Sequence, residues 1–173
     1  LERLLLGESP PSLPMVIDAD GLNNLSGLDE WWRRLAAPVV LTPHPGEMAT
    51  LTGLSTAEIQ GDRINSARHW SCHWNATVVL KGAHTLIAEP GGMVRVSPFA
   101  NPGLASGGTG DVLAGIIAGL IAQGLPLDLA ASCGVFIHGL AGEAVRDRIG
   151  DTGSIASDLV ELLPETIHDL KLA

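Results

Sequence analysis

Lysine is almost absent from this chain. Its 173 residues include two, Lys81 and Lys171, and the formal net charge is −9. So acidic a balance argues against nucleic acid as the main partner and against an anionic membrane, because both attract basic surfaces. A phosphate ligand would have to be held by local backbone dipoles rather than by the overall field. Cysteine is equally scarce. Cys72 and Cys133 fall in segments that read as helices and share no metal-type spacing. Both are expected as small core residues in a reducing compartment. No window reaches 18 uninterrupted apolar residues, so no transmembrane span is expected. The opening LERLLLGESPPS lacks the basic n-region and cleavage site of a secretory signal, and the chain is expected in the cytoplasm. Internal repeats, low-complexity tracts and interdomain linkers are also missing. What is there is a chain 46% hydrophobic, which argues against disorder. Its length fits one domain over residues 1–173, enough to bury roughly 70% of the unfolded surface.

Short apolar runs alternate with helical patterns. Residues 15–19 (MVIDA), 39–41 (VVL) and 77–80 (TVVL) read as buried strands. Residues 85–88 and 93–96 flank Glu89-Pro90-Gly91-Gly92 and read as a hairpin. Helical signals cover 31–35 and 46–51. A capping box, Ser55 to Glu58, starts a helix expected to run to about Trp74. Three more helices are expected at about 111–123, 127–147 and 155–170. Strands without polar alternation, joined by helices, imply an α/β three-layer sandwich with a mostly parallel sheet.

The densest chemistry lies in residues 101–115, NPGLASGGTGDVLAG. A glycine-rich loop that feeds a helix leaves backbone N–H groups unpaired, with the helix dipole behind them. That combination favours an anion, phosphate above all. Asp111 follows directly. It either caps the helix or takes a proton from a hydroxyl that attacks a phosphoryl group.

Ligands of such sheets bind beyond the strand C-terminal ends, where three further segments lie. Asp18 and Asp20 either cap the next helix or stand near a metal or substrate. His44 is held between Pro43 and Pro45 and is read as touching ligand, with a hydrogen-bonded structural role as the alternative. Glu47 sits in the next helix's first turn, where the dipole stabilises it in any case. Lys81, before Gly82, Ala83, His84 and Thr85, suits a nucleotide phosphate or ribose; a solvated turn lysine is the alternative. His69, His73, His138 and His168 read as solvated or hydrogen-bonded structural residues.

Taken together, VIDADGLN, LTPHPGEMATLTG, VVLKGAHT and NPGLASGGTGDVLAGIIAGLIAQG resemble, in order and spacing, the ADP/ATP-dependent NAD(P)H-hydrate dehydratases, repair enzymes of the ribokinase-like superfamily. GVFIHGLAGEAV looks like theirs too. The resemblance covers nearly the whole chain, from about Met15 to Leu163. It implies phosphorylation of a hydroxyl on hydrated NADH or NADPH by ADP or ATP with Mg²⁺, then loss of phosphate. By motif, Asp111 resembles the base and also a substrate contact. Gly107, Gly108, Thr109 and Gly110 resemble the anion hole. Lys81, Gly82, Ala83, His84 and Thr85, with Gly110, resemble the nucleotide segment, and His44 a contact to the hydrated dinucleotide. Asn101 and Glu47 are further candidates; no metal ligands are assigned.

Leu104 and Gly21 stand where the family usually has methionine and alanine. The family also carries a longer front part before the VIDAD strand. Without it, a partial ribokinase-like domain with an uncovered sheet edge is expected to form a homo-oligomer. Weak nucleotide binding and no dehydratase activity are expected of this chain alone. Two other functions fit the same loop. One is a ribokinase-like small-molecule kinase that releases a stable phosphate ester. The other is a truncated, non-enzymatic domain that binds nucleotide or a partner subunit.

Overall fold

The computed structural model describes residues 12–150 and 152–172. The 1–11 stretch read above for a leader lies outside them. Five strands form one sheet in the order β1-β2-β3-β4-β5: β1 (Met15–Ile17), β2 (Val39–Leu41), β3 (Thr77–Leu80), β4 (Leu86–Ala88) and β5 (Val94–Val96). The three buried runs are neighbours in this sheet. β1 pairs parallel with β2 in the register Val16↔Val40, and β2 parallel with β3 in the register Leu41↔Val78. The hairpin adds antiparallel pairings of β3 with β4 and β4 with β5. Four of the five strands therefore run one way, and β4 alone is reversed.

Successive strand residues point to opposite faces, which explains why the runs are apolar throughout. Val39, Leu41, Val78, Leu80, Leu86 and Ala88 enter one core cluster. Val40, Val79 and Ile87 enter another on the opposite face. The first face is covered by α1 (Asp20–Ser26), α2 (Pro45–Thr52), α3 (Thr56–Gly61) and α4 (Arg63–Trp74), and the second by α5 (Thr109–Ala122) and α6 (Leu127–Ile149). Helix α7 (Ala156–Leu172) packs on α6 and α5 through Leu159, Leu162 and Leu163, against Val145 and Val112. The result is three layers with mixed α/β topology.

Three expectations need correction. The helix expected from Ser55 to Trp74 is two helices. Gly61 closes the first, and Asp62 leaves helical geometry (φ −149°, ψ 70°) to cap the second by accepting from the Asn65 N–H at 3.2 Å. The bonds to Asn65 also hold the Asp62 carboxyl below its ordinary range. Cys72 and Cys133 are exposed, not core. They occupy the outward faces of α4 and α6, and nothing in the neighbouring residues marks which side faces water. Helix α5 starts at Thr109 with Gly108 as N-cap, two residues earlier than expected, and no side chain caps it. Asp111 is therefore its third residue and does not cap it.

Candidate active site

The parallel strands end along one edge, where the chain turns into loops. The Thr42 N–H donates to Ile17 O at 3.1 Å and the Lys81 N–H to Pro43 O at 2.8 Å, which locks the three strand ends together. Their side chains form a charged corner. Lys81 Nζ lies 2.7 Å from Asp18 Oδ1 and 3.6 Å from Glu47 Oε2. All three side chains are mostly buried, so Lys81 is an ion-paired group and not a solvated turn lysine. Asp20 sits in the first turn of α1, whose N-cap is Ala19 in a strained backbone (φ 47°).

His44 has the hydrogen-bonded structural role that stood as the alternative. Its Nδ1 accepts from the Gly46 N–H (3.0 Å) and the Glu47 N–H (3.2 Å), and its own N–H donates to Glu47 Oε2 (2.6 Å). That reciprocal box starts α2. With Nδ1 accepting, the ring carries its proton on Nε2 when neutral. The ring is still 56% exposed and lies on the wall of a cavity.

The glycine loop reaches the same place from the other side of the sheet. Asn101 Oδ1 accepts from the Gly103 N–H at 2.9 Å, starting a 3₁₀ turn over Pro102–Ala105. The Thr109 hydroxyl meets Leu104 O at 2.7 Å and Ser106 O at 2.8 Å. Gly108 adopts φ +87°, which a side chain would strain. The Thr109 N–H turns back to Ser106 O at 3.3 Å. The N–H groups of Gly107, Gly108, Gly110 and Asp111 make no hydrogen bond among the described residues. The donor set thus differs from 107–110 by exchanging Thr109 for Asp111. A Cβ built on Gly110 would stand 3.4 Å from Lys81 Nζ and 3.5 Å from Asp18 Oδ2, so loop and charged corner abut.

A cavity of about 620 Å³ opens between them. Its wall includes His44, Lys81, Gly82, Ala83, Thr85, Asn101, Thr109 and Gly110. Gly107, Gly108 and Asp111 are exposed beside it and do not line it. Glu47 reaches it through Lys81. His84 turns away: it adopts φ 52°, and its Nδ1 lies 3.1 Å from Ser97 O. His69, His73 and His168 are exposed on helix surfaces, the first two stacked on each other near Trp70.

Three contributors were missed. Phe99 forms part of the cavity wall. Arg63 braces the lysine segment, donating to Ala83 O at 2.6 Å, Leu80 O at 3.2 Å and Lys81 O at 3.4 Å. Nothing in its sequence surroundings separates it from a solvated helix arginine. His138 was read as a structural histidine, and it is hydrogen-bonded, with Nε2 at 2.9 Å from Thr109 O; it also lines the cavity. Burial lowers its pKa, opposed by the bond to Thr109 and helped by the charge of Lys81.

Among the described residues, no three His, Cys, Asp or Glu side chains are grouped to hold a metal, and no helix is long and apolar enough to cross a membrane.

The family model for NAD(P)H-hydrate dehydratase (Carb_kinase) matches residues 4–165. A bifunctional NAD(P)H-hydrate repair enzyme from Moorella thermoacetica is 45% identical over 159 residues, 92% of this chain and 30% of that protein. An ADP-dependent (S)-NAD(P)H-hydrate dehydratase from Neisseria meningitidis serogroup B is 45% identical over 140 residues, 79% of this chain and 47% of its own length. The chain thus spans less than half the length of either relative. The ADP/ATP-dependent NAD(P)H-hydrate dehydratase of Bacillus subtilis, co-crystallised with ATP/Mg²⁺ and soaked with CoA, superposes with a TM-score of 0.82 at 33% identity. The match covers 91% of this chain and 57% of that one.

Proposed function

The chain belongs to the NAD(P)H-hydrate dehydratase family, and from that premise we propose that its cavity serves the ADP- or ATP-dependent dehydration of hydrated NADH or NADPH. The observation that carries this reading is the junction of unpaired loop N–H groups with the Lys81 corner at the mouth of one cavity.

In this proposal the N–H groups of Gly107, Gly108, Gly110 and Asp111 receive the transferring phosphoryl group, where fixed dipoles stabilise developing charge. Asp111 accepts the proton of the attacking hydroxyl; it stands beside these donors and no cap occupies it. Thr109 holds the loop in shape. Lys81, Gly82, Ala83 and Thr85 take the nucleotide. His84 shapes that segment through its bond to Ser97. His44 faces the hydrated dinucleotide, and Glu47 orients both His44 and Lys81. Asn101 sets the start of the loop. A magnesium ion bound with the nucleotide would be held by phosphate oxygens and water, and would neutralise phosphate charge. Self-association and a cytoplasmic setting belong to the same proposal; β1 is an outer strand with one unpaired side among the described residues.

The test uses the protein encoded by the full reading frame, supplied with NADH hydrate, ADP or ATP and Mg²⁺. Asp111→Asn should lower free-phosphate release by about 10²–10⁴ and leave nucleotide affinity nearly unchanged. Wild-type turnover in that variant removes Asp111 as the base. A phosphorylated product that accumulates without free phosphate identifies a kinase instead.

A further inference from the structure

Helix α6 approaches α5, Phe99 and the glycine loop more closely than side chains would allow. A Cβ on Gly134 would stand 2.6 Å from Ile117 Cγ1, one on Gly139 2.1 Å from Phe99 Cδ2, and one on Gly142 2.8 Å from Leu104 Cδ2. Gly134 and Gly142 lie four residues either side of His138, on one stripe of the helix. They bring its backbone near enough for the imidazole to reach a main-chain atom of α5. His138 is 8% exposed. Its Nε2 lies 2.9 Å from Thr109 O. A carbonyl only accepts, so Nε2 carries the proton. One turn further along α6, Asn101 Nδ2 donates to Gly142 O at 2.9 Å. The loop is thus fastened to α6 at both ends, and between them the Thr109 hydroxyl closes on Leu104 O and Ser106 O.

We propose that His138 is a positioning residue for the anion loop: its Nε2–H bond to Thr109 O fixes the first turn of α5, so that the N–H groups of Gly107, Gly108, Gly110 and Asp111 stay free of internal partners and gather at the cavity mouth. This rests on the anion-site reading of the loop. His138 touches no reacting atom in this scheme and acts through Thr109. A buried histidine that only filled space would be replaceable by a side chain of similar volume. One that positions the loop needs a donor at the place of Nε2.

The experiment compares His138→Leu, His138→Gln and His138→Asn in the protein encoded by the full reading frame. It uses ¹H–¹⁵N spectra, amide hydrogen exchange and titration with inorganic phosphate. Glutamine sets an N–H near the position of Nε2, whereas asparagine is too short. The Leu and Asn variants should show shifted resonances and faster exchange confined to the loop and the first turn of α5. Their phosphate affinity should fall about tenfold, the scale of one lost hydrogen bond. The Gln variant should stay within about threefold of wild type on the same scale. If His138→Leu does not fold, the Gln and Asn pair decides alone. Wild-type loop spectra and phosphate affinity in the Leu or Asn variant would overturn the proposal, and so would equal loss in Gln and Asn. If the wild-type chain binds no phosphate, the anion reading falls, and positioning is then judged by exchange and shifts alone.

Discussion

The two faces of the sheet are built from different material. On the α1–α4 face the core is filled by large side chains: Trp31, Trp74, Leu22, Leu25, Met48 and Ile59 are each at most 1% exposed. Trp31 and Trp74 are in ring contact at 5.4 Å. On the α5–α6 face the buried positions run to small residues, among them Ala130, Ala131, Gly134, Gly139, Ala141 and Gly142. Large side chains fill space. Small ones let backbones approach and leave room beside them. The first face carries most of the apolar burial that stabilises the fold, and the second carries the cavity and the loop at its mouth. Substitutions on the two faces should therefore separate into losses of stability and losses of binding.

The largest test of that separation is Trp74→Ala. A fully buried Trp truncated to Ala costs about 3–5 kcal/mol, read as a lower urea midpoint, while phosphate binding by the folded fraction should be unchanged. One feature softens the loss: Trp74 Nε1 is buried without a hydrogen-bond partner among the described residues, so no bond to them goes with the ring. Loss of phosphate binding at full foldedness would erase the contrast between the faces.

Gly139→Ala probes the other face. The added methyl meets the Phe99 ring at 2.1 Å, so Phe99 has to move, and Phe99 forms part of the cavity wall. Overpacking of this kind costs about 1–3 kcal/mol, with nucleotide affinity falling alongside. Unchanged nucleotide binding with a normal melting temperature would show that the wall yields freely.

The smallest effect is a pH dependence that belongs to the cavity face. The folded-state pKa of His138 is lowered from 6.5, chiefly by burial. Below 6.5 the unfolded chain takes up a proton that the folded chain resists, so falling pH costs stability; the loss is complete below the folded-state pKa. Melting curves at descending pH from 7.5 should therefore fall more steeply for wild type than for His138→Gln. Parallel curves would assign the slope to other groups.

Legibility followed locality. The three strands and the hairpin were readable because short apolar runs and a Glu-Pro-Gly-Gly turn are contiguous signals. The capping box at Ser55 was readable for the same reason: Ser55 and Glu58 are three residues apart and bond directly (2.8 Å from the Ser55 N–H). The glycine loop was readable as a source of unpaired N–H groups because these follow from backbone alone. The break at Asp62 was missed because periodicity passes through it, and one side chain decides it. Arg63 was missed because its partners are carbonyls 17 to 20 residues away. His84 differs from the residues beside it in the proposed nucleotide segment. Its neighbours line the cavity, while its own φ of 52° turns the ring to Ser97.

The sequence by itself determined the layers and the glycine loop, because both rest on contiguous pattern and backbone propensity, and its quoted motifs carried the resemblance to the family. The tertiary structure decided the rest. Lys81 proved to be ion-paired with Asp18, 63 residues away, and His138 to be tied to Thr109, 29 residues away. It also showed that three helix glycines exist for close approach and not for flexibility. Those facts depend on which side chains meet after the chain has closed on itself, and side chains distant in sequence carry no local mark of their partners.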